Sequence, residues 1–164
     1  MATTLKTFVA TYHSGPYEER EFPEAASQSF KVGEFVELNS NSQINICATD
    51  DVLTIGIALR DASGTTAAMC PVLLATNETT FQVTYSATLD PTLALTDLGL
   101  KVGLIVANAR SYVEFEETTA EFFITLAPIL GYDPAINVAG DDYVRGLVKV
   151  KPAIYQLGDG AESA

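Results

Sequence analysis

Tryptophan is absent from these 164 residues, histidine occurs once and cysteine twice. Each scarcity counts against a class of function. A sheet that binds or cleaves sugars usually offers tryptophan to the ring faces, and none is available. The single histidine, His13, lies in a polar stretch with no scaffold to hold it as a base or a ligand. Cys47 and Cys70 stand apart in "INICA" and "AAMCPVLL", with no CxxC and no neighbouring histidine. They read as buried small apolar residues rather than a disulfide or metal ligands. GxSxG, GxGxxG, a P-loop and HExxH are all missing.

Positive charge is scarce as well. Nine Lys and Arg face 21 Asp and Glu, for a formal net charge of -12 and a pI near 4.2. Phosphate binding depends on Lys and Arg releasing counterions, so the balance argues strongly against nucleic acid as a partner. It argues against an anionic membrane surface for the same reason. No apolar run approaches the roughly 18 residues of a membrane span. The opening "MATTLKTFVATYHSG" has no charged region followed by an apolar one, so no secretory signal is expected and synthesis in a cytoplasm is.

What is present is the material of one folded domain. The apolar fraction is 48% and the charged fraction 18%, which favours a packed core over disorder. The length suits one domain better than two. Residues 1–28 differ from the rest: "YEEREFPE" and "AASQS" are polar, and Phe8, Val9, Tyr12, Tyr17 and Phe22 are widely spaced. The spacing predicts an extended N-terminal arm over 1–28, of a kind often ordered only against a partner. A β domain is expected over 29–158 and a flexible tail over 159–164.

The β signals are dense. "FKVGEFVEL" alternates with a glycine at the phase shift, which predicts a half-buried strand with a bend or bulge. The polar "NSNS" between it and "QINICA" predicts a hairpin. "VLTIGIAL" is a near-continuous apolar run, and the turn cluster "RDASG" follows it. In "AAMCPVLLA", Pro71 predicts a sheet edge or an irregularity. "TTFQVTYSA" alternates cleanly. "LIVANARSYVEFE", "EFFITLAPIL" and "YVRGLVKVKPAIYQL" complete the set. Asp90-Pro91 and Thr96-Asp97 allow one or two short helices. The expectation is an all-β fold, a compact barrel or sandwich of about eight or nine short strands.

Carboxylates are the remaining candidates for chemistry. Asp50-Asp51, Asp141-Asp142 and the group Glu114, Glu116, Glu117 and Glu121 are clustered. A glycosidase needs two carboxylates facing across a groove. Neither "ATDD" nor "AGDD" has the spacing of a calcium loop. These clusters read as solvated loop charge. The sequon at Asn77 has no expected route to the glycosylation machinery. "FKVGEFVEL" is faintly similar to the strand of a biotinyl or lipoyl carrier domain. Lys149 and Lys151, however, lie in an alternating strand and not in the tight hairpin such a domain needs. No catalytic, cofactor-binding or metal-binding residue is assigned.

Five segments in order carry a family resemblance: "EAASQSFKVGEFVEL", "TIGIALRDASG", "CPVLLATNETTFQVTY", "TDLGLKVGL" and "VRGLVKVKPAIYQ". Together they span about residues 24–157, and their order and spacing resemble the head decoration, or capsid cement, proteins of tailed bacteriophages. The resemblance implies a β-rich structural protein of the virion exterior, commonly a homotrimer, that clamps neighbouring major capsid subunits without catalysis or cofactor. An acidic chain with a polar arm suits such a role, because an arm that orders on a neighbour lets a small protein cover a large area. Tyr12, His13, Tyr17 and Phe22 are the candidate contact residues, since they are aromatic side chains in a segment too polar to build its own core. Two other readings remain: a low-copy tail, fibre or sugar-binding virion protein, and a carboxylate-based hydrolase.

Overall fold

Phe35 and Val36 are neighbours in the chain, and both are fully buried. A strand with one wet face cannot do this, because successive side chains point to opposite sides. The computed structural model explains it with a sheet covered on both faces. It describes residues 10–48, 53–76, 78–86, 101–107, 110–114, 123–128 and 143–150.

The described residues form eleven strands and no helix. They are β1 (Thr11–Ser14), β2 (Glu19–Pro23), β3 (Phe35–Leu38), β4 (Ile44–Ile46), β5 (Gly56–Ala58), β6 (Met69–Leu74), β7 (Thr80–Ser86), β8 (Lys101–Ala107), β9 (Arg110–Glu114), β10 (Phe123–Pro128) and β11 (Tyr143–Val150). One sheet has five strands in the order β2-β6-β5-β3-β4, all antiparallel. The other has six, in the order β1-β7-β11-β10-β8-β9, and these neighbours are antiparallel too. A single parallel pairing, Tyr85 with Val113, also links β7 to β9. The protein is all-β.

The strand count exceeds the eight or nine expected, for two reasons. "LIVANARSYVEFE" is a hairpin rather than one strand, with Ala107 opposite Arg110. The stretch expected as an extended arm supplies β1 and β2, which pair with β7 and β6. The "NSNS" hairpin is present as β3 and β4, with Val36 opposite Ile46 and Leu38 opposite Ile44. The Asn39 side-chain oxygen closes its turn by accepting the N–H groups of Asn41 at 2.9 Å and Gln43 at 3.0 Å. Such local side-chain bonds are why Asn favours turns. The candidate helices at residues 90 and 96 and the tail over 159–164 lie outside the described residues.

Of the two places expected for Pro71, a sheet edge or an irregularity, the edge is not met. The residue stands in β6, between β2 and β5. Its ladder partner on β2 is Glu21. Its carbonyl accepts Leu59 N–H at 2.9 Å, on the β5 side and one residue past the end of that strand. In an extended chain a residue's N and O point to the same side. The missing donor therefore faces the place where β5 has already ended, and the β2 ladder loses nothing.

Two apolar clusters follow from the two covered faces. Between the sheets lie Phe35, Ile57 and Leu73 from the five-stranded sheet, against Phe81, Val83, Leu104, Phe123 and Val148 from the six-stranded one. Phe35 sits edge-on to Phe81 at 5.5 Å and to Phe123 at 5.0 Å between ring centroids, a favoured aromatic arrangement. On the far face of the five-stranded sheet, Val36, Ile44, Ala58, Val72 and Leu74 meet Phe30 and Ile55, with Phe22 and Ala62 packed beside them. The cover on that side consists of two irregular stretches, 24–30 and 60–64.

Gly56 marks the tightest approach inside the five-stranded sheet. Its φ is +148°, and a Cβ there would lie 1.9 Å from the Leu73 carbonyl oxygen. Gly56→Ala should destabilise the protein by about 3 kcal/mol or more in chemical denaturation, since strain and overpacking add. Gly64→Ala is the control: φ is +74°, but the nearest atom to its Cβ is 3.7 Å away. Its cost should stay near the conformational term of about 1 kcal/mol.

Candidate functional site

The candidate contact residues lie on and beside the two outermost strands. All four residues of β1 are exposed, and the first three of β2. Tyr12 on β1 is 38% exposed, and Tyr17, in the connection to β2, is 57% exposed. Their rings meet edge to face, with centroids 5.2 Å apart at 87°. The Tyr12 hydroxyl donates to the Gly15 carbonyl at 2.6 Å, which fixes the ring over the corner. The two rings thus pack on each other, and their outer faces form an aromatic ridge. His13 lies exposed on the same strand. Phe22 goes elsewhere: it is half-buried and packs on the cluster beneath the five-stranded sheet. The structure therefore brings Tyr12, His13 and Tyr17 to one corner and sets Phe22 apart from them.

Gly15 and Pro16 let the chain cross from one sheet to the other at that corner. Gly15 has φ +92°, and a Cβ would come 2.2 Å from the Glu78 carbonyl oxygen. The Thr79 hydroxyl donates to the Pro16 carbonyl at 3.2 Å. Eight residues later the chain reaches Glu24, whose side chain is fully buried.

Glu24 is the most constrained ionisable group among the described residues. The backbone N–H of Ser63 donates to both carboxylate oxygens, at 3.1 and 3.0 Å. The Ser63 hydroxyl and the Gly64 N–H donate at 2.9 and 3.2 Å. Arg60 closes an ion pair at 2.6 Å with its side chain one-third exposed. The backbone is fixed as well, since Glu24 N–H donates to Ala68 and Glu24 C=O accepts from Ala67. Burial alone pushes the carboxyl pKa up. The Ser63 bonds and the Arg60 charge outweigh it and hold Glu24 below the usual carboxylate range.

Sequence reasoning assigned Glu24 to the arm and "RDASG" to a turn, and it missed their union. Nothing local marks a glutamate whose partners lie 36 to 40 residues away. Asp61, in the same turn, accepts Val32 N–H at 2.9 Å and pairs with Lys31 at 3.1 Å. That pair is half exposed and contributes little to stability. Cys47 and Cys70 are buried free thiols, and burial pushes the Cys70 thiol up. The clusters at Asp50-Asp51, Glu116–Glu121 and Asp141-Asp142 lie outside the described residues, and of Glu114 only its place in β9 is described. Lys149 is described in β11 and Lys151 is not.

No family model, curated protein or solved structure matches this chain.

The geometry of Glu24 sets a pH dependence. A carboxyl whose folded pKa is depressed stabilises the fold above its unfolded value, and this contribution is lost as pH falls through the folded one. Acidification below about 4.5, the unperturbed value, should therefore weaken the protein in urea titrations. Glu24→Gln should cost about 2–3 kcal/mol at pH 7, because the Arg60 charge loses its partner. It should also flatten the acid limb. An unchanged acid limb in this variant would assign the pH dependence to other carboxylates.

Proposed function

We propose that this chain is a structural virion protein. It binds the outer surface of an icosahedral phage head, as a homotrimer, and cements neighbouring major capsid subunits against the pressure of packaged DNA. It acts by contact and not by turnover, needs no cofactor, and reaches the capsid exterior after synthesis in the host cytoplasm.

The observation that carries this reading is the interlock of the first two resembling segments. "EAASQSFKVGEFVEL" begins at Glu24, and "TIGIALRDASG" ends at Ser63 and Gly64, which hold that glutamate's carboxylate. The segments that carry the resemblance thus form one packed unit and are not scattered β-rich stretches. "CPVLLATNETTFQVTY" adds β6 and β7, and "VRGLVKVKPAIYQ" contains most of β11. Negative charge supports the same role, since an acidic protein does not compete for packaged DNA. Many copies on a symmetric shell turn modest contacts into large resistance. The ridge of Tyr12 and Tyr17, with His13 next in the strand, is the contact surface. Aromatic residues held at a corner suit the anchor role at interfaces.

Two measurements test this. Mass spectrometry of purified virions should find the chain near one copy per major capsid subunit. A ratio of a few per cent moves it to a vertex or the tail, and absence from the particle overturns the proposal. In head-binding assays, Tyr12→Ala with Tyr17→Ala should weaken binding by about tenfold or more, the loss of one or two modest anchors. Full binding by the double variant would remove the ridge from the interface.

A further inference from the structure

We propose that Thr11–Pro23 is an exchangeable strand pair, and that the edges of β7 and β6 beneath it also accept this segment from a second copy of the chain. The inference names the neighbour as another copy, and it stands whether or not that copy sits on a phage head.

The segment is attached in the way a bound peptide is attached. Its ladder to β7 pairs Thr11 with Gln82, Tyr12 with Phe81 and Ser14 with Thr80. Its ladder to β6 runs from Glu19–Leu73 to Pro23–Met69. The corner adds Thr79 to Pro16, and Leu74 N–H donates to the Glu18 carbonyl at 2.8 Å. Backbone bonds of this kind are the basis of strand addition to a sheet edge. Side chains contribute little. Every residue from Thr11 to Glu21 is exposed, and Phe22 alone among these residues packs on a buried cluster. One small residue of the inter-sheet core travels with the segment: Ala10, just before Thr11, is buried there and donates its N–H to the Gly33 carbonyl at 3.2 Å. The rest of that core is built from residues that remain when the segment is taken away.

The identity of the occupant follows from the cis arrangement. Both edges are already fitted to this sequence, in this register, with this corner. A second copy offers the same residues, so every contact formed in cis can form in trans. Glu24 marks where the exchanging part ends. Its buried ion pair and its two backbone bonds keep it with its own domain. The chain can swing at the Pro23–Glu24 junction without opening that site.

Because cis and trans contacts are equivalent, concentration decides between them. A short tether holds the segment near its own edges at an effective concentration on the order of millimolar. Dilute protein therefore keeps its segment. Copies crowded to millimolar density exchange it and become linked.

Cysteine trapping on the full chain distinguishes the two states. Thr11 and Gln82 face each other across the ladder, and Cys47 and Cys70 are buried and do not compete. The T11C/Q82C double variant, dilute and mildly oxidised, should bridge within one chain. The single variants T11C and Q82C are then mixed, held to equilibrium and oxidised across a concentration series. The mixed disulfide should rise about tenfold for each tenfold in concentration, up to the millimolar range. T11C mixed with T65C, an exposed site off the segment, gives the background of random collision. A T11C–Q82C yield no greater than this background, with the double variant still bridging in cis, overturns the proposal. Failure of the cis bridge overturns it too, because the strand would not lie on that edge.

Discussion

A carboxylate cannot be left unpaired in an apolar interior, and that constraint organises one whole side of this protein. Glu24 is fully buried, and an isolated charge there would cost far more than a domain's net stability. Its oxygens are met by two backbone amides, a hydroxyl and a guanidinium. The loop that supplies them, 60–64, must therefore come to the segment that begins at Glu24. Once there, the two stretches roof the far face of the five-stranded sheet. Phe30 and Ala62 are joined through a 2.8 Å backbone bond, and both pack on the cluster beneath. Paired buried charge is not in itself a large source of stability. Its effect is to select this placement of the loop over others.

The roof accounts for most of what the sequence did and did not reveal. The all-β class was legible because β-branched and aromatic residues recur at strand length between turn residues, and the "NSNS" hairpin could be placed outright. The two-faced burial of the five-stranded sheet was half visible. "VLTIGIAL" and "AAMCPVLLA" are too continuous for a strand with a wet face, which is the signature of a strand covered on both sides. What covers the second side was not legible. The cover is irregular chain, and irregular chain has no period. The edge reading of Pro71 failed for a related reason. Proline is excluded from a central strand only where its missing N–H would face a partner, and that depends on where the neighbouring strand stops.

The N-terminal region shows the limit of composition as a guide. Residues 11–21 are polar and exposed, so they read as an arm. A strand at a sheet edge can be held by its backbone alone, which leaves its side chains free to be polar on both faces. Periodicity reports which side chains are buried. It is silent on a strand that buries none. Of the candidate site, the aromatic character was legible, but the grouping was not. Tyr12 and Tyr17 meet because Gly15 and Pro16 turn the chain between them, whereas Phe22 is drawn inward by the cluster under the roof.

The corner at Gly15 and Pro16 has a mechanical consequence. One continuous stretch of chain is fastened along β7 in one sheet and along β6 in the other, like a strap sewn to both halves of a seam. Beyond this strap and the short connection 75–79 from β6 to β7, the two sheets adhere mainly through side chains in van der Waals contact, which part easily once water enters. A force that prises the layers apart at this border must instead strip two ladders of hydrogen bonds fixed to the same covalent thread. The border that looks unprotected, because the side chains of β1 and the start of β2 are exposed, is the one where the layers are joined by the backbone itself.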